Sequence, residues 1–317
     1  FQFFPRTLKT LDLGRCGAIT PAGLARLKNQ TPMLESLDIS DAANLEPQHL
    51  EGLPNSLTSI ELPIGLLNAM TPTNFDFITR YNLKSLKLTS RAIQLDSSIF
   101  WMIPRTVTDF EMPYLRKVLP IHVPCLPPNL TNLVLSGVED LTDEAICTFE
   151  TVEITRKDGT KVQESRWRGF LSHLLVTLDL SSCRHVTPVG IQGLHLLRTL
   201  ELGVDDTRLS QAATKLPAEP RTREAVLALL PRHLRYLTMP NFPGLRIVHL
   251  PHLNELLHLV SATTMHYAGP PEDTPQARSF AQGGDAPSVP AAIILRRIAL
   301  ANERAEKESA SMLPFDS

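Results

Sequence analysis

Six carboxylates recur at one position of a leucine pattern: Asp12, Asp38, Glu61, Glu111, Asp179 and Glu201. Lys87 takes that position once, and Val134 and Thr238 take it in two further copies. Each residue lies between the last two apolar positions of a Leu-x-x-Leu-x-Leu unit, so in an extended strand it points away from them. Carboxylates repeated along one side of a sheet attract cations, which makes a Lys- or Arg-bearing segment of a protein partner their natural ligand, steered by charge. The preceding outward column is Thr10, Ser36, Ser59, Ser85, Asp109, Asn132, Thr177, Thr199 and Tyr236, mostly small and polar. Two readings stand side by side: the stripe receives a basic segment, or it keeps an open sheet face soluble. Left unpaired, adjacent carboxylates repel and cost some stability.

Other chemistry finds little support. The chain has no GxSxG, GxxxxGK[ST] or HExxH, and no GxGxxG after a strand. His249, His252 and His258 do not place two ligands at i and i+4, no nearby Cys completes a set, and His122-x-x-Cys125 is a lone pair between prolines. The expectation is a non-catalytic protein with no cofactor and no metal. Cys16, Cys125, Cys147 and Cys183 are widely spaced and include no CxxC, which favours reduced thiols and a cytoplasmic or nuclear location. Asn29-Gln-Thr31 and Asn129-Leu-Thr131 match the glycosylation sequon and keep a secreted receptor-like binder as a third alternative.

The elements that must carry the carboxylates follow from the leucines, 51 in 317 residues. The unit runs through nine copies: Leu8/Leu11/Leu13, Leu34/Leu37/Ile39, Leu57/Ile60/Leu62, Leu83/Leu86/Leu88, Val107/Phe110/Met112, Leu130/Leu133/Leu135, Leu175/Leu178/Leu180, Leu197/Leu200/Leu202 and Leu234/Leu237/Met239. Successive first positions are offset by 26, 23, 26, 24, 23, 45, 22 and 37 residues. The two long offsets are a period plus an insertion. Pro5, Pro54, Pro104, Pro127 and Pro231 each stand three residues before a first leucine, a place that suits the start of a strand. Thr20-Pro21, Thr187-Pro188 and Thr142-Asp143-Glu144 read as helix starts. One strand and one helical return per unit cannot bury an apolar face alone, so the units must stack with their strands in parallel.

LKTLDLGRCGAITPAGLARL and LVTLDLSSCRHVTPVGIQGL resemble the cysteine-containing, ribonuclease-inhibitor-like leucine-rich repeats found in F-box substrate receptors, whose consensus is roughly LxxLDLxxCxxITDxGLxxL. The resemblance covers residues 4–245 and is strongest in the first, sixth and seventh copies. It implies an α/β solenoid with a curved parallel sheet on its concave face and helices and turns on its convex face. Cys16 and Cys183 then fill the small buried position after the strand. The resemblance also implies a protein-interaction scaffold, with a role as the substrate-recognition part of a cullin-type ubiquitin ligase. A Skp1-type adaptor would be bound through a region ahead of residue 1, since residues 1–317 show no F-box. The alternative is a leucine-rich repeat protein that wraps and regulates an enzyme, as an inhibitor or a GTPase activator does.

Two insertions break the period, at 148–170 and 207–226. The first carries Asp158-Gly159 between alternating segments, a hairpin signal. Arg156, Lys157, Lys161, Arg166 and Arg168 surround Trp167 and Phe170 there, nearly cancelled by Glu150, Glu153, Asp158 and Glu164. It reads either as a protruding partner contact through Trp167 or as a solvated loop. The second reads as a Pro-broken loop and a short helix from Thr222 to Leu230. The solenoid is expected over 1–265, with one more irregular unit near Leu253–Leu259. A disordered linker is expected over 266–290, and a helix over 291–312 that docks back or binds a partner.

With 31 basic and 33 acidic residues the net charge is −2, which favours neither nucleic acid nor an anionic membrane. No run approaches the ~18 apolar residues of a membrane span. The start, FQFFPRTLKT, does not read as a signal peptide. The residues expected to meet a partner are Asp12, Asp38, Glu61, Lys87, Glu111, Asp179, Glu201, Tyr236 and Trp167.

Overall fold

The structure, a computed structural model, describes residues 4–42, 44–63, 66, 76–89, 97–113, 115, 118–138, 140–155, 160–216, 221–240, 250 and 258–260. Residues up to His266 form one compact unit. The expected linker 266–290, the expected helix 291–312, the Asp158-Gly159 turn, His249 and His252 lie outside the described residues.

Leucine periodicity becomes a ladder. Ten short strands form one parallel sheet in the order β1 (Thr10–Asp12), β2 (Ser36–Asp38), β3 (Ser59–Pro63), β4 (Ser85–Thr89), β5 (Asp109–Glu111), β6 (Asn132–Val134), β9 (Thr177–Leu180), β10 (Thr199–Leu202), β11 (Tyr236–Thr238) and β12 (His258–Val260). The central leucine of each copy is the rung: Leu11, Leu37, Ile60, Leu86, Phe110, Leu133, Leu178, Leu200, Leu237 and Leu259 face one another in register. The rungs from Leu37 to Leu237 are almost completely buried, as are the flanking Leu34, Ile39, Leu57, Leu62 and their counterparts. Phe110 packs edge-on against Phe100, with ring centres 6.2 Å apart. β12 falls where the sequence places the further irregular unit.

Parallel strands need a crossover rather than a tight turn, and each coil supplies one. The helix Pro21–Gln30 starts as expected: Thr20 Oγ1 accepts from the Gly23 N–H at 3.2 Å, Pro21 stands in the first turn, and Leu24 and Leu27 are buried. Thr187 Oγ1 caps the helix Pro188–Ile191 in the same way, accepting from the Val189 N–H. The helix Asp143–Ile146 begins after Thr142 without a side-chain cap. Three other returns, Pro47–Gly52, Ser97–Met102 and Pro120–Cys125, are tighter 3₁₀ turns. The periodic prolines act five residues ahead of the strands: Pro5, Pro54, Pro104, Pro127 and Pro231 each accept from the backbone N–H of the first core residue, three positions on.

Two features depart from the sequence expectations, and a third, the hairpin of the first insertion, follows them. Cys183 is buried and its thiol donates to the Leu135 carbonyl of the coil before it at 3.2 Å, whereas Cys16, in the first coil, is exposed. The second insertion holds two helices. Asp206–Thr214, capped by Asp205 and buried along Leu209, Ala212 and Ala213, precedes Arg223–Leu227, which Thr222 caps. The first insertion leaves the sheet as an antiparallel hairpin, β7 (Cys147–Thr155) with β8 (Lys161–Gly169). The ladder closes over the gap it leaves, because β6 pairs directly with β9.

Candidate functional site

Opposite the leucine rungs lies the second face of the sheet. Side chains alternate along a strand, so Asp12, Asp38, Glu61, Lys87, Glu111, Val134, Asp179, Glu201 and Thr238 are aligned by the same pairings that align the leucines. Neighbouring members of this column are about 4.8 Å apart, the spacing of hydrogen-bonded strands. The second column runs from Thr10, Ser36, Ser59 and Ser85 through Asp109 and Asn132 to Thr177, Thr199 and Tyr236.

At the β1–β3 end the carboxylates are open. Asp12 is exposed, and Asp38 and Glu61 are half-buried. Asp12 and Asp38 each give one oxygen to their own coil: Asp12 Oδ1 accepts from the Gly14 N–H and Asp38 Oδ1 from the Ser40 N–H, both at 2.9 Å. This bond closes the turn leaving the strand, a role its Asp-x-Gly or Asp-x-Ser spelling could have signalled. Glu61 is held above the ordinary carboxylate range by partial burial and then by the charge of Asp38, with Glu111 and Asp12 adding to the effect and Lys87 opposing it. Lys87 pairs with Glu111 at 3.1 Å. Burial alone would lower the Lys87 pKa, but Glu111, Asp109 and Glu61 outweigh it and raise it. Beside this pair Asp109 accepts from Asn132 Nδ2 at 2.8 Å.

The β9–β11 end is different. Asp179 is only 5% exposed, its Oδ1 accepting from the Ser181 N–H at 2.8 Å, and burial raises its pKa. Asp179, one of the residues the sequence offers to a partner, is thus covered. Glu201 is half-buried and pushed up to about 7 by burial and by Asp179 on the next strand. Tyr236 is half-buried in the second column, next to Thr199, which is 4% exposed.

Trp167 does not belong to the sheet face. It sits at the root of the hairpin, paired with Phe149 across the strands and packed edge-on near His173 at 6.5 Å between ring centres. A side chain at Gly193 has no room beside it, since a Cβ there would lie 1.9 Å from the indole. The ring is thus part of the packing between hairpin and solenoid, not a free projection. Farther out, Arg168 pairs with Glu150 and Lys161 with Glu153, which explains why this charged segment carries so little net field.

Burial pushes the Cys147 thiol up to about 11 and the Cys183 thiol up to about 12, so both are protonated and poorly nucleophilic. Among the described residues no group of three or more His, Cys, Asp and Glu side chains is disposed to hold a metal ion. No helix among them is long and apolar enough to cross a membrane. What the sheet face offers chemically is a row of fixed negative charges flanked by hydroxyls.

Residues 4–28 and 171–194 match the family model described as Leucine Rich repeat. Among curated proteins none matches this sequence. The chain is similar to the solved structure of the leucine-rich repeat-containing protein LegL7 from Legionella pneumophila, at 14% identity and a TM-score of 0.47, over 91% of this chain and 95% of that one. It is also similar to a chain of the Rad7 and Elc1 complex in yeast, at 14% identity and a TM-score of 0.33, over 80% of this chain and 81% of that one.

Proposed function

Given that this chain is a leucine-rich repeat protein, we propose that it is a non-catalytic scaffold whose sheet face binds a protein partner through a Lys- or Arg-bearing segment laid across Asp12, Asp38 and Glu61. One observation carries the reading. Three carboxylates occupy consecutive rungs, and the protein supplies its nearby cation, Lys87, to Glu111. Burial first, and then Asp38, Glu111 and Asp12, make Glu61 harder to ionise, with Lys87 opposing them. A cation arriving on this stripe relieves a repulsion that folding leaves in place. Lys87 and Glu111 bound the stripe on one side, and Glu201 and Tyr236 form a second, less charged contact region.

The finer role rests on the sequence motifs. Their likeness to F-box substrate receptors supports a substrate-recognition part of a cullin-type ubiquitin ligase, acting in the cytoplasm or nucleus. Co-purification of a Skp1-type adaptor with the full-length protein tests that role separately from the sheet face.

Selection from a random peptide display library tests the face itself. Enrichment of Lys/Arg-rich ligands whose affinity falls at least tenfold in Asp12→Asn/Asp38→Asn/Glu61→Gln supports the reading. Amides keep the turn-closing acceptors at Asp12 and Asp38 while removing charge. Enrichment of acidic or uncharged ligands, or binding indifferent to the triple substitution, overturns it.

A further inference from the structure

The two stretches that interrupt the repeat period meet on the helical side of the sheet. Hairpin β7–β8, the helix Asp206–Thr214 and the coils between them, through Asp143, His185 and Gln192, border an open cavity of about 740 Å³. That volume lies inside the roughly 300–1,000 Å³ range of small-molecule sites. Both insertions contribute to its lining, and so do the coils of the repeat.

Its lining is of two kinds. The hairpin contributes an aromatic wall, Trp167 and its cross-strand neighbour Phe149, and Leu216 and Leu229 extend the apolar surface. Trp167 is fixed there: Cβ atoms at Gly169 and Gly193 would lie 2.1 and 1.9 Å from its ring. Its Nε1–H is shielded from solvent without a hydrogen-bond acceptor, beside the Cys147 thiol, which is a poor one.

The helical segment opposite contributes positive charge. Arg208 and Lys215, seven positions apart and so on one helix face, both reach the cavity. Arg208 donates to Gln211 Oε1 at 3.0 Å, and among the described residues no carboxylate pairs with it. Lys215 pairs with Glu144 at 3.2 Å, with both side chains about 70% exposed, so the pair is easily exchanged. Two carboxylates share the wall and both are engaged, Glu144 by Lys215 and Asp143 by Thr187. Thr187 donates to both Asp143 oxygens, through its N–H at 2.8 Å and its hydroxyl at 2.6 Å, and the Cys147 thiol is protonated.

We propose that this cavity is a binding site for a small amphipathic carboxylate, its apolar body against Trp167 and Phe149 and its carboxylate on Arg208, with Lys215 as the second cation. The guanidinium fork matches a carboxylate in two-point contact. The site is independent of the sheet face and stands whether or not that face binds a basic segment.

Trp101→Phe leaves Trp167 as the sole tryptophan. Its emission, excited at a wavelength where phenyl groups do not absorb, reports titration with 4-phenylbutyrate and with the uncharged 4-phenylbutyramide. The expected result is a saturable change with both probes, the acid binding at least tenfold more tightly. Arg208→Gln should remove most of the acid's preference over the amide, Arg208→Lys should keep more of it, and Phe149→Ala should weaken both probes. Thermal melts identify any variant that has lost its fold, and the pair of Arg208 substitutions keeps the test usable if one has. No saturable response to either probe overturns the site. Equal binding of acid and amide, or an acid preference unchanged in Arg208→Gln, overturns the assignment of the ligand class.

Discussion

Asp38 and Asp179 hold the same position of the same repeat, in different halves of one sheet. Each caps its turn through one oxygen, at 2.9 and 2.8 Å. Yet Asp38 keeps access to solvent while Asp179 is 5% exposed, and the neighbour of Asp179, Glu201, is pushed up to about 7. The repeat thus specifies a backbone role for the residue but not its electrostatic state. Charge on such a face is a property of what surrounds each rung. The stripe proposed above lies where three consecutive carboxylates keep access to solvent, Asp12 exposed and Asp38 and Glu61 half-buried.

The largest expected effect shows what the two halves have in common. Leu37→Ala and Leu178→Ala, at 1% and 0% exposure, should each cost about 3 kcal/mol in urea unfolding. A loss under about 1 kcal/mol at either site breaks the picture of one continuous core. The next effect separates the halves. Asp179→Ala should cost about 1–2 kcal/mol by orphaning the Ser181 N–H in a covered setting, against about 0.5 kcal/mol for Asp12→Ala at the open end. Asp179→Asn keeps the acceptor, discards a buried charge and should equal or exceed the parent; if it is as damaging as alanine, the carboxylate's charge has a favourable partner after all.

Titration gives a third comparison. The folded pKa of Glu201, about 7, lies above the ordinary glutamate value of 4.5, so the folded state binds the proton more tightly. The resulting stability is fully present below pH 4.5 and is lost as pH rises through about 7. Asp143, pushed up to about 6 by burial against its bonds to Thr187, acts in the same direction. Melting temperature at constant ionic strength should fall from pH 4.5 to 7, and Glu201→Gln should remove part of that fall, on the order of 1 kcal/mol after solvent screening. A Glu201→Gln profile no flatter than that of the parent removes the covered character assigned to this end of the sheet.

The smallest effect concerns backbone rather than charge. Ser182 has φ 68°, the left-handed region, and Gly137 has φ 75° at the same place in the preceding coil. Ser182→Gly should stabilise by about 0.5–1 kcal/mol in the same denaturation assay. A destabilisation there means that the serine side chain holds the turn.

The ladder was legible in the leucines because a parallel stack turns sequence period directly into register, and all nine predicted rungs fall on paired strands. The carboxylate column followed from the same alternation. Exposure did not follow, since the burial of Asp179 depends on surroundings set by residues distant in sequence. Asp-x-Gly and Asp-x-Ser held the turn-closing role in view without its being read. The helix Asp206–Thr214 was hidden by two features: it lies outside the period, and its cap, Asp205, is one of two adjacent aspartates. That the insertions would share a cavity could not be read from spacing, because Trp167 and Arg208 are brought together only by the coil between them.

Direct pairing of β6 with β9 has a consequence for how such a chain can change. The stretch between these strands is a splice point: its length can grow, shrink or be exchanged for another lobe while the coils on either side keep the neighbours they already have. New recognition surfaces can therefore be tried at that joint without rewriting the scaffold that carries them.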